Sequence, residues 1–283
     1  MFLDSVLPLC AILCTQVVAA GQDSEGRDTT KDQHVARAIE QWVDDFGRSR
    51  LGPRGLLRSG LRLQPDYYLH ARKAGMVSER GLGRVTHLDM LQKLLFHAEK
   101  HPAAGMGEAV LSVASVGLER SFLDRTAFEL RELGHWTLMR MEDQGVWFQV
   151  LRAASGDRVP IFDELRSGEK PEEAVSVGPA RRVAALRLLG QRGLPVFRST
   201  LEAALIAKDP RVRLAAAESI RPPWKVATVK RVANATKNER HPVVSQAMVR
   251  LLSQMLKRPP SKMSASVRSS IMTGALAQIG LAG

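Results

Sequence analysis

The chain has 283 residues, with 41 Lys and Arg against 29 Asp and Glu, for a formal net charge of +12. At 45% hydrophobic and 25% charged it can build a core, which excludes a wholly disordered chain. No apolar run is long enough for a multi-pass membrane protein, and two cysteines cannot make a disulfide-dense fold.

Residues 5–20 form an apolar stretch too short to span a bilayer comfortably. Val18 and Ala20 precede Gly21 in the small-residue pattern that a signal peptidase reads. Residues 1–20 therefore read as an export signal, although Asp4 stands where such signals carry positive charge; a buried N-terminal helix is the competing reading. Cleavage after Ala20 would remove both Cys10 and Cys14, leaving a mature chain of net charge +13 without thiol chemistry. The expected location is then the periplasm, the cell envelope or the exterior. Residues 21–32 are polar, have no apolar face, and read as a disordered mature N-terminus.

Residues 33–160 read as a helical N-terminal region. Val35, Ile39, Trp42, Val43 and Phe46 fall at helical spacing, with Asp32 placed as an N-cap. The segment 47–84 is rich in glycine and carries a local charge of +7; one short helix is expected around Pro65–Ala74. Leu88, Leu91, Leu94, Leu95 and Ala98 mark a helix over 87–100, and a second apolar run follows over 107–118. A further helix holding Phe128 and Leu130 is expected to end at Gly134. Residues 135–153 then supply Trp136, Leu138, Val146, Trp147 and Val150, with a break expected at Glu142–Gly145. No segment alternates as a strand does, so the chain is read as all-α.

The last part of the chain, 170–283, contains an internal repeat. Pro179, Pro210 and Pro242 open three matching segments, spaced 31 and 32 residues apart. Alanine recurs at one matched position (Ala184, Ala215, Ala247), and a large aliphatic residue five positions later (Leu189, Ile220, Leu252). Amphipathic runs over 194–207 and 225–237 lie between them. Two helices per period of about thirty residues is the pattern of an α-solenoid, in which each pair must stack on its neighbours to bury its apolar face. Proline suits the first helical position, and Asp209 can cap the helix that Pro210 opens.

Asp209-Pro210-Arg211-Val212-Arg213, followed by Ala216, resembles the second helix of a HEAT repeat. The resemblance covers about 170–260. The copy at 179 has Arg181 in place of the valine and lacks the aspartate. The copy at 242 has His241 and Ser245 in place of the aspartate and arginine. The resemblance implies an interaction scaffold rather than an enzyme; a minority of such folds act on DNA as alkylation-repair glycosylases.

Charge is concentrated. Residues 221–283 hold eleven Lys or Arg against Glu239 alone, a local +10. Such asymmetry attracts a protein or an acidic polymer or surface, and the expected contact residues are Arg211, Arg213, Trp224, Lys225, Lys230, Arg231 and Lys237. Nucleic acid is the second candidate, disfavoured by export and by few stacking aromatics. His97 and His101 share a helical face at zinc-binding spacing, but Glu99 is one position late for a zincin and no third ligand is near. No phosphate-binding loop, dinucleotide fingerprint or nucleophile elbow occurs. The chain is read as non-catalytic, with no metal and no cofactor.

Overall fold

The computed structural model describes residues 29–48, 66–77, 86–103, 105–118, 125–156 and 178–279. Residues 1–20, the expected export signal with Cys10 and Cys14, most of 47–84, and 157–177 lie outside the described residues. Among those described, all regular structure is helical and no strand forms. None of their helices is long and apolar enough to cross a membrane.

The chain gathers into two compact units. The first comprises Met1–Val110 with Arg140–Gln149. Within it, α1 (Thr29–Arg48) packs on both α2 (Asp66–Lys73) and α3 (His87–Lys100). The sequence reading set helix entry too late here. Residues 29–32 are helical, and Asp32 is not an N-cap but a buried first-turn residue whose Oδ1 lies 2.9 Å from His97 Nε2. Burial of a carboxylate is costly unless it is paired, and His97 supplies the partner. By contrast α3 starts where its pattern places it, because Thr86 and Asp89 form a reciprocal capping box.

The core of this unit is aromatic. Trp42 stacks on Phe46 with ring centroids 5.4 Å apart, and its indole N–H donates to the His87 carbonyl at 3.0 Å. The Tyr67 hydroxyl and His87 Nδ1 share a hydrogen bond of 2.6 Å. His87 is fully buried, so α1, α2 and α3 meet on one neutral imidazole and its backbone. Burial pushes the His87 pKa down and is the main cause of the upward push on Tyr67.

The second unit comprises Leu111–Met139 with Val150–Gly283. Helix α4 (Met106–Ala114) ends in it, α5 (Arg125–Arg140) lies almost wholly in it, and α6 (Gln144–Ser155) finishes in it. Gly134 does not end α5. A Cβ at that position would lie 2.6 Å from the Ala114 backbone nitrogen, so the glycine lets α4 and α5 touch backbone to backbone. The break expected near Glu142 is present, since α5 stops at Arg140 and α6 starts at Gln144.

The repeat segments follow. Each of α7 (Pro179–Arg192), α9 (Pro210–Ser219) and α11 (Pro242–Lys257) opens with its proline in the first turn. Between them lie α8 (Arg198–Ala204), entered through a 3-10 turn at Pro195–Phe197, and α10 (Val226–Asn238); α12 (Ala265–Ile279) comes last. Helix α9 packs on α7, α8 and α11, while α10 packs on α8, α11 and α12. Asp209 caps α9 by accepting from the Arg211 N–H at 2.8 Å. Gly193 terminates α7 at φ 68°, where a side chain would be strained.

Two arginines three residues after their prolines do the same work. Arg182 Nε donates to the Ala154 carbonyl at 2.9 Å, at the end of α6. Arg213 donates to the Ala207 and Lys208 carbonyls at 2.8 and 2.9 Å, just past the end of α8. Each places positive charge on carbonyls at or just past the C-terminal end of the preceding helix.

Candidate functional site

Residues 178–279 carry nineteen Lys or Arg and only four carboxylates, a net +15. All four carboxylates engage an arginine. Asp209 binds Arg211 at 2.8 Å, Glu239 binds Arg213 at 2.6 Å, Glu218 lies 3.7 Å from Arg187, and Glu202 bonds to Arg231. The hydrogen bond from the Arg211 side chain is the main cause that holds the Asp209 carboxyl low. Burial pushes the Glu239 carboxyl up, but hydrogen bonds from Arg213 and from the His241 and Arg240 backbones outweigh it, and its pKa is lowered.

The predicted contact residues differ in exposure and in what they bind. Lys225 and Lys230 are exposed around α10, and Lys237 is exposed in its last turn. Arg211 is exposed but leans on Asp209 and reaches the Leu118 carbonyl at 3.4 Å. Arg213 is largely buried and holds Glu239 with two nitrogens, so its charge is committed to the packing of α9. Arg231 is half exposed and grips Glu202, which also accepts from Thr228 at 2.6 Å. Trp224 is half-buried between Pro223 and Lys225, with its indole nitrogen buried and without a hydrogen-bond partner among the described residues.

The sequence reading passed over a different feature. A groove of about 740 Å³ crosses α5, α7 and α9. Ala184 and Gly190 contribute small residues to its lining. A Cβ on Gly190 would lie 2.4 Å from Ser219 Cβ, so α7 and α9 approach closely only because that position is glycine. Charged and aromatic groups complete the walls: Arg131, Glu132 and Trp136 from α5, Arg187 from α7, Glu218 from α9, and Arg221 beyond it. Trp136 is 54% exposed. His135 and Gln191 bond across the same groove.

The repeat register carried this signal in part. Arg187, Glu218 and Arg250 each stand eight residues after their proline, so they form an outward row across three helices. The contributions of α5 lie before the repeat and have no such marker.

His97 is half-buried and bound to Asp32, while His101, exposed at the C-terminal cap of α3, lies beside it with its ring tilted at a centroid distance of 4.6 Å. Glu99 turns instead to Arg140, 3.5 Å away. No group of three His, Cys, Asp or Glu suited to a metal occurs among the described residues.

Comparison with protein-family models, with curated proteins and with solved structures finds no match for this chain.

Proposed function

We propose that this chain is a HEAT-like α-solenoid interaction protein, exported and non-catalytic, that binds a partner of excess negative charge through its basic helical repeats. The observation that carries this reading is the charge distribution over 178–279. Its four carboxylates are each paired with an arginine, and the segment keeps a net +15 that includes the exposed Lys225 and Lys230. A surface of one sign steers an oppositely charged partner and raises its rate of encounter. The solenoid reading is supported by three proline-opened helices packed in succession, and by the equivalent capping roles of Arg182 and Arg213. Export is supported by the apolar stretch and small residues of 5–20.

The test is retention on immobilised polyglutamate. The full mature chain should bind at low ionic strength and elute as salt screens the contact. The double variant Lys225→Glu with Lys230→Glu should elute at clearly lower salt. Passage through the column without retention at low salt would remove the reading. Nucleic acid is the second reading, since the same surplus charge suits phosphate. It requires an affinity for oligonucleotides whose logarithm falls steeply and linearly with that of the salt concentration.

A further inference from the structure

We infer that the groove across α5, α7 and α9 docks an extended peptide segment of mixed charge, carrying an apolar side chain, from a partner protein. This rests on the interaction-protein reading above and names the kind of ligand. Helices pack about 8–10 Å apart, so a path over three of them is roughly 20 Å long. About six residues of extended chain cover that distance.

The lining selects among anionic ligands. Three guanidinium groups line it: Arg131, whose Nη1 donates to the Val116 carbonyl at 3.0 Å, Arg187, 3.7 Å from Glu218, and Arg221; a ligand carboxylate can join these groups. Glu132 and Glu218 stand among them. A phosphate or sulfate polymer carries negative charge at every unit and would bring it against both glutamates, a costly juxtaposition. A peptide can set a carboxylate on an arginine and a lysine or backbone N–H on the neighbouring glutamate. The row of Arg187, Glu218 and Arg250 repeats this alternation from helix to helix. Trp136 presents a large rigid apolar surface on the wall of the groove, with more than half of it exposed. Tryptophan and arginine together are the residue types that dominate protein-binding hot spots.

The experiment selects a random peptide library displayed on phage against the full mature chain. It then measures binding of the enriched peptides, made synthetically with a fluorescent label. Peptides combining acidic residues with an aromatic or large aliphatic residue should be enriched. Their affinity should fall about tenfold in Arg187→Glu and by a similar factor in Trp136→Ala, while polyglutamate retention of Trp136→Ala is unchanged. Trp136 is exposed, so its variant should keep the native circular dichroism. Octauridylate should not displace the peptide. The inference is overturned if no peptide is enriched, if both variants bind as the parent does, or if octauridylate displaces the peptide. Failure here with polyglutamate retention intact removes the groove alone. Loss of both removes the interaction reading with it.

Discussion

Helices α1, α2 and α3 contain seven basic and seven acidic residues and four of the seven histidines. Residues 178–279 contain nineteen basic and four acidic residues, and their only aromatics are Phe197 and Trp224. The first set holds together by large rings and buried polar bonds, with Trp42, Tyr67 and His87 at the centre. The second holds together by buried aliphatics such as Leu189, Leu201, Val229 and Leu252, with small residues at Ala184, Ala216 and Gly190 where helices approach closely. An irregular aromatic core fixes one arrangement of three helices. A mainly aliphatic core leaves most charged side chains of these helices on their outer faces.

The contrast can be broken most forcefully at Trp42. Trp42→Ala removes a buried ring, its stack on Phe46 and the bond to the His87 carbonyl. It should cost about 3–5 kcal/mol, read by chemical denaturation. Hydrogen exchange should show the loss in α1–α3. Protection equally lost across α7–α11 would show that the two cores do not unfold as separate units.

A smaller effect is expected at the α7–α9 contact. Gly190→Ala drives a methyl group into Ser219 and should cost about 1–3 kcal/mol by overpacking. Gly274→Ala in α12, where a Cβ meets nothing within 4 Å, is the matched control and should be neutral or slightly stabilising. Equal effects at the two glycines would contradict close packing as the organising principle of the repeats.

The smallest and most discriminating effect is the pH response. The folded pKa of His87 lies below its ordinary value of 6.5 because burial disfavours the imidazolium. Between the folded and unfolded values the unfolded chain binds the extra proton, so stability declines as pH falls below about 6.5. In the repeats the lowered groups are Asp209 and Glu239. Their contribution is present above the unfolded carboxylate values near 4 and is lost only as pH falls through the lower folded ones. Hydrogen exchange, corrected for intrinsic rates, should show α1–α3 loosening first as pH drops from about 7 toward 5. His87→Phe should remove part of that early loss. Simultaneous loosening of both regions would reject this assignment.

Local chemistry made much of the helical reading legible. The Thr86–Asp89 box, the three prolines and Asp209 act within a few residues, so each marks its helix start in the sequence. Gly134 and Gly190 illustrate the opposite case. Glycine near a helix end looks like a stop, yet at both positions it serves a contact with another helix. Asp32 misled in the same way, because its partner His97 is 65 residues away.

The amino-acid sequence by itself determined the all-helical class, the starts of the three proline-opened helices and the cationic surplus, because these follow from periodicity, capping and composition. Only the tertiary structure decided which charges are committed. Arg213 and Arg231 were indistinguishable from Lys225 and Lys230 until Glu239 and Glu202 were brought against them. It also decided where the groove lies, because Arg131 and Trp136 meet Arg187 and Arg221 only when α5, α7 and α9 pack across long sequence separations.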